Sequence, residues 1–145
     1  MGTVIGLARR KKLRGEIELV ESVYIDRKTG LSGDIRGTAK NRQVTLLSNR
    51  SWGDVCRELK EEIPWTYRRA NILIDNFDFI KKSGYRIQVG EVILQVTRET
   101  DPCPRMDEQL QGLTNALLSD WRGGVCCNVI EGGDVNLGSE VKILD

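Results

Sequence analysis

Short runs rich in valine, isoleucine and leucine, divided by glycine turns, recur along the chain and predict a sheet-based fold. The runs IELVESVYI (17–25), QVTLLS (43–48), ANILID (70–75), RIQV (86–89), VILQVT (92–97), VCCNVI (125–130) and VKIL (141–144) are seven candidate strands. That number is enough to close a barrel. Gly90-Glu91 separates RIQV from VILQVT, and a two-residue loop led by glycine predicts a type II′ hairpin. Two stretches change to a helical period. In SWGDVCRELKEEIP (51–64), Trp52, Val55, Leu59 and Ile63 fall on one face. Ser51 and Asp54 have capping-box spacing, with Asp in place of Glu or Gln, and Pro64 ends the run. In MDEQLQGLTNALLSDW (106–121), Leu110, Leu113, Leu117 and Trp121 repeat at helical spacing, Asp107 is placed to cap the start, and Gly123-Gly124 stops the element. The pattern predicts one mainly β domain over residues 1–145 with two helical insertions.

Charge adds little at the level of the whole molecule. Lys plus Arg number 22 against 21 acids, a formal net charge of +1, which argues neither for nucleic acid nor for a membrane surface. No apolar run approaches the ~20 residues of a membrane span, and the start MGTVIGLARRKKLRGE lacks the apolar core of a secretory signal, so a cytoplasmic protein is expected. The local exception is ARRKKLR (8–14), five cations without an acid. With no aromatic side chain interleaved it lacks a stacking platform for single strands, and it reads as a solvated polar arm.

Histidine is absent from the chain. Ser-His-Asp and Cys-His hydrolases and imidazole metal sites are thereby excluded, leaving thiol, carboxylate, arginine and lysine to carry any chemistry. The four cysteines form no CxxC pair and suit neither a zinc site nor a disulfide framework, so free thiols are expected. Cys56 falls on the apolar side of the first helix, and Cys126-Cys127 must point to opposite faces of their strand.

Cys103 differs from these three. In DPCPRM (101–106) it stands between Pro102 and Pro104, whose fixed φ angles and effect on the preceding residue hold the thiol on a stiff extended loop. Arg105 and the following helix start would lower its pKa, while Glu99, Asp101 and Asp107 would raise it. A functional thiol and a structural loop cysteine both fit these facts. GLSGDIRG (30–37) and RGG (122–124) each set glycine beside arginine, a pairing that serves either as a plain turn or as an anion cradle. Arg68 and Arg69 lead into a strand, where a solvated edge is the plain reading.

Taken in order along the chain, GLSGDIRG, RQVTLLS ahead of a Trp-bearing helix, RRANILID, GYRIQVGEVILQVT, ETDPCPRMD, DWRGGV, VIEGGDV and GSEV resemble a short stand-alone MOSC domain. The family is named for the C-terminal domain of molybdenum cofactor sulfurase. The resemblance implies a mostly antiparallel β-barrel with helical insertions. It also implies that Cys103 handles sulfur as a persulfide or ligates molybdenum as a thiolate, and that Gly33, Asp34, Arg69, Asn71, Arg122, Gly123 and Gly124 line a molybdenum cofactor (molybdopterin) site. Arginine forks and an asparagine amide suit the phosphate and polar pterin of that cofactor, and a thiolate suits a soft metal-sulfur centre.

The sulfurase's pyridoxal-phosphate domain has no counterpart in 145 residues, so a cysteine desulfurase would be a partner, beside a molybdoenzyme or an electron-transfer protein. A second reading, also implied by the resemblance, is a molybdenum-dependent reductase component acting on N-hydroxylated purines with a partner electron donor. A third is a β-barrel interaction module that meets RNA or an acidic protein through ARRKKLR.

Overall fold

The computed structural model describes residues 1–13, 15–103 and 106–144. Its strands are β1 (Gly2–Arg9), β2 (Glu18–Leu19), β3 (Ser22–Asp26), β4 (Gly30–Leu31), β5 (Val44–Ser48), β6 (Ile72–Asp75), β7 (Arg86–Val89), β8 (Val92–Glu99), β9 (Val125–Glu131), β10 (Gly133–Asn136) and β11 (Glu140–Leu144). Its helices are α1 (Asn49–Leu59), α2 (Met106–Gln109) and α3 (Leu113–Leu117), with a 3-10 turn over Trp65–Arg68. Seven strands close a barrel in the order β1-β6-β5-β9-β8-β7-β11, sealed by β11 against β1. All its pairings are antiparallel except β5 with β6, making it a mixed barrel. β10, β3 and β4 form a separate small sheet.

Six of the seven predicted strands are barrel staves. The seventh stave is β1, which the hydrophobic runs did not pick out, and the predicted strand 17–25 divides instead into β2 and β3 outside the closed ring. β1 is hidden in the sequence because Gly2 and Gly6 occupy inward or covered positions where a strand would otherwise show an apolar residue. Close packing requires glycine at position 6: a Cβ there would lie 2.7 Å from Trp65 Cζ2. The hairpin forms as expected, with Val89 opposite Val92 and Gly90 at φ 58°.

Two apolar cores result. The barrel interior holds Val4, Leu46, Ile72, Ile74, Ile87, Leu94, Val125 and Cys127, and the small sheet adds Val23, Ile25, Leu31 and Val135. Outside the barrel wall, Leu47 and Leu73, paired across β5 and β6, meet Trp52 and Val55 of α1, Met106 of α2, and Leu113 and Leu117 of α3. This explains why VTLLS is buried at every position: its alternate side chains enter different cores.

The helices depart from the prediction at their ends. Ser48, not Ser51, caps α1, accepting from Ser51 N, and Lys60 in the left-handed region closes it. Ile63 therefore lies beyond the helix, where its carbonyl accepts from Trp52 Nε1 at 2.8 Å. The stretch 106–121 is two short helices, not one, because Gly112 at φ 90° interrupts it. Gly112 is the N-cap of α3, and Asp107, inside α2, joins the two helices by accepting from Thr114 N at 2.9 Å. Ser48 also donates to the buried Phe77 carbonyl at 2.7 Å. Ser48→Ala removes a cap and strands that carbonyl, so urea unfolding is expected to show a loss of about 2 kcal/mol.

Candidate functional site

The end of β1 and the turn carrying Asp34 are fastened together. Arg10 N donates to Asp34 Oδ1 at 3.0 Å, and Ile35 N donates to the Arg10 carbonyl at 2.7 Å. Asp34 Oδ2 takes a further bond from Arg36 N at 3.1 Å. One carboxylate thus sets the backbone from which two arginines project. Gly37 permits the turn, since a Cβ there would overlap the Thr29 carbonyl oxygen. Gly33, at φ 82°, faces Arg9, which is paired with Glu18.

Asn71 is 6% exposed and acts as a staple. Its Oδ1 accepts from Thr45 N and Thr45 Oγ1, and its Nδ2 donates to the Ala8 carbonyl, joining β1, β5 and the approach to β6. Beside it, Arg69 adopts the left-handed conformation at φ 63° as the 3-10 turn ends.

These fastenings deliver Arg10, Arg36, Arg42 and Arg69 to one polar niche that Asp34, Thr45 and Asn71 also line. The same four arginines continue into a wider cleft of about 360 Å³, joined there by Arg68, Asp101, Cys103, Met106 and Glu108. Cys103 is the one exposed cysteine of the four. Its backbone carbonyl is held by Met106 N at 2.8 Å and Thr114 Oγ1 at 3.0 Å. Pro104 and Arg105, which bear on the stiffness and charge balance of the thiol loop, and Arg14 of the basic run lie outside the described residues.

Arg68 is a buried anchor rather than a solvated edge residue. It is 6% exposed, its Nε donates to the Gly123 carbonyl at 3.1 Å, and its Nη2 donates to the Thr100 carbonyl at 2.9 Å. The bond to Thr100 ties the 3-10 turn to the end of β8, which leads into the cysteine loop. Burial, with repulsion from Arg42, pushes its pKa down to about 10. Burial also lowers the Arg10 pKa, aided by Arg69 and Arg36, and burial lowers that of Arg42, aided by Arg36 and Arg98. Among the described residues no ion pair neutralises Arg10, Arg36, Arg42, Arg68 or Arg69. The buried Nε atoms of Arg36 and Arg42 have no hydrogen-bond partner there, a condition shared outside the cleft by the ion-paired Arg122. Clustered, desolvated and unpaired guanidinium groups make a receptor for a compact anion, which would relieve both repulsion and unmet hydrogen bonding.

The RGG turn stands apart from this cleft. Arg122 Nη1 binds Glu58 Oε1 at 3.0 Å and the Ala116 carbonyl at 2.9 Å, linking α1 to α3. Gly123 supports Arg68, and a Cβ on it would fall 2.6 Å from the Thr100 carbonyl oxygen. Gly124, at φ 89°, lies against the Leu46 backbone. Of the residues named from the sequence, Asp34, Arg69, Asn71 and Cys103 therefore line the niche or the cleft, Gly33 adjoins Arg9, and Arg122, Gly123 and Gly124 lie behind.

Arg10 and Arg42 are the site residues that the sequence patterns passed over. The run ARRKKLR reads as a solvated arm, but Ala8 and Arg9 finish β1 and Arg10 is 8% exposed. Its place after a strand was the available signal, but β1 itself was obscured. Cys126 and Cys127 point apart as expected, yet both are buried: Cys127 enters the barrel core and Cys126 lies 3.3 Å from Thr100 Oγ1 outside it. Cys56 is half-buried against the outer core.

Among the described residues no group of three or more potential carboxylate or thiol ligands is poised for a metal, and no helix is long and apolar enough to cross a membrane. No curated protein matches the chain. Its fold is similar to that of the YUAD protein from Bacillus subtilis, at 19% identity and TM-score 0.83, covering 99% of this chain and 96% of that one. It is also similar to YiiM from Geobacillus stearothermophilus, at 12% identity and TM-score 0.76, covering 100% and 76%. YiiM from Escherichia coli is similar at 16% identity and TM-score 0.73, covering 99% and 70%. At these identities the likeness concerns the fold. The MOSC domain model matches residues 32–142, from the Asp34 turn through the cysteine loop to β11, and the chain belongs to the MOSC domain family.

Proposed function

We propose that this MOSC domain binds the molybdenum cofactor or carries sulfur for it, with Cys103 as the working thiol. The family is associated with that cofactor. The observation that carries the reading is the convergence of Arg10, Arg36, Arg42, Arg68 and Arg69, unpaired among the described residues, on a cleft that also holds the exposed Cys103. The donor set suits the group: unmet guanidinium N–H groups suit a phosphate and polar pterin, and a thiolate suits a soft metal-sulfur centre. When bound, the cofactor supplies oxygen- or sulfur-atom chemistry at molybdenum.

The chain's own residues bind and position. The arginines hold the anionic end, Asp34 and Asn71 keep the strand ends that present them, and the Arg68 bond to Thr100 fixes the root of the cysteine loop. Cys103 ligates the metal or bears a terminal sulfur; in the carrier version a pyridoxal-phosphate desulfurase is the partner that loads it.

Protein prepared anaerobically from a molybdate-fed host that makes the cofactor is expected to retain molybdenum and pterin, and Cys103→Ala to lose them, if the thiol is a ligand. In the carrier version, Cys103 is expected to gain one sulfur on incubation with a desulfurase. Absence of both species would sink the reading.

A further inference from the structure

We propose that Cys103 can be loaded directly by a small sulfane-sulfur oxyanion of the thiosulfate class, whose oxyanion end is gripped by Arg42 and Arg68 with Arg10 and Arg36 behind. This rests on the carrier reading of Cys103 and names the donor.

Three observations lead to it. The thiol is exposed and lines the arginine cleft, so a donor held by the arginines presents its outer sulfur to a reachable nucleophile. Arg68 bonds the Gly123 and Thr100 carbonyls through its Nε and Nη2, its Nη1 has no partner among the described residues, and it lines the same cleft as Arg42 and Cys103. Independently of the cysteine, Arg10 is 8% exposed, lines the cleft, and its guanidinium has no partner among the described residues; its only bond to a carboxylate is through its backbone N–H. A buried, unpartnered cation in a polar cleft points to an anionic ligand.

Thiosulfate combines what this cleft offers: an oxyanion for arginine forks and an electrophilic sulfur for a thiolate. The Cys103 thiolate attacks the outer sulfur. The new Sγ–S bond forms as the S–S bond of thiosulfate breaks, and sulfite departs with the electron pair. Charge is conserved, the outer sulfur becomes the terminal sulfur of a persulfide, and no external oxidant or reductant is required. The arginines assist by stabilising the negative charge that grows on the departing sulfite. The persulfide then passes its terminal sulfur to a nucleophile; cyanide in an assay gives thiocyanate and regenerates the thiolate.

The test uses the full chain with thiosulfate alone. Mass spectrometry is expected to show one added sulfur on Cys103, removable by a reducing thiol, and cyanide is expected to release thiocyanate catalytically. Cys103→Ser should abolish both, whereas Cys56→Ser should change neither. Arg42→Met should raise the KM for thiosulfate roughly tenfold, the effect of one charge-assisted contact, while alkylation of Cys103 by a neutral reagent keeps its rate. Inorganic phosphate should compete. Labelling on a different cysteine, or a KM indifferent to Arg42→Met, would overturn the proposal. If a desulfurase loads Cys103 and thiosulfate does not, the donor is wrong and the carrier reading stands. If neither loads it, both carrier claims fall.

Discussion

Gly124→Ala is expected to cost at least about 4 kcal/mol, enough to leave much of the protein unfolded at physiological temperature. Gly124 sits at φ 89°, and a Cβ on it would overlap the Leu46 carbonyl oxygen. The left-handed conformation alone costs a non-glycine residue about 1–2 kcal/mol. The overlap adds a larger amount, because it involves main chain and cannot be relieved by turning a side chain. Leu46 pairs with Val125 across β5 and β9, so relief means opening the barrel wall there. It would also pull on Thr100, whose N–H donates to the Gly124 carbonyl at 2.9 Å and whose own carbonyl holds Arg68. Gly84 provides the control: its φ is 92°, and a Cβ there meets nothing within 4 Å. Gly84→Ala should therefore lose only the conformational part, about 1–2 kcal/mol. Urea midpoints of the two variants check this, and equal losses would contradict the close approach of Gly124 to Leu46.

The second large effect has opposite signs with and without ligand. Arg36→Met/Arg42→Met should raise the unfolding midpoint of the unliganded protein, since it removes two clustered cations whose buried Nε atoms lack partners among the described residues. With phosphate or sulfate present the order should reverse. Losing two charge-assisted contacts weakens anion binding by about 100-fold, so at saturating anion the double variant forgoes about 2.7 kcal/mol of ligand-linked stability. Thermal unfolding over an anion series measures both signs. A double variant less stable at zero anion would mean that the arginines hold the fold together, and the anion-receptor reading would fail. The pattern expected is that of a site built at the expense of apo stability.

Much of the architecture is legible along the chain because burial on one face of a strand or helix writes its own period. The six runs that became barrel staves, the Gly90-Glu91 hairpin and the Trp52 face of α1 were all readable in this way. The failures have local causes. β1 escapes the pattern because glycine at positions 2 and 6 removes the apolar signal, and the reason for glycine is a neighbour distant in sequence, Trp65 in the case of Gly6. The leucines of 106–121 keep one helical period throughout, and the backbone conformation at Gly112 breaks it into two helices. Ser51 and Asp54 mimic a capping box, yet the helix begins one turn earlier, where Ser48 has a second use in binding the Phe77 carbonyl.

By itself the sequence determined the mainly β class, the lack of histidine chemistry, the setting of Cys103 beside Pro102, and an order of motifs that resembles one family. The tertiary structure decided which cations matter. Arg10, Arg36, Arg42 and Arg68–69 come from separate segments, and charge at a position says nothing about its surroundings until the strands close. Arg122 looks equivalent to them in sequence, beside its two glycines, but it is ion-paired: its Nη1 binds Glu58 and a helix carbonyl. An arginine attracts an anion when it is crowded by other arginines and becomes a strut when a carboxylate pairs with it, and only the folded barrel sets those neighbours.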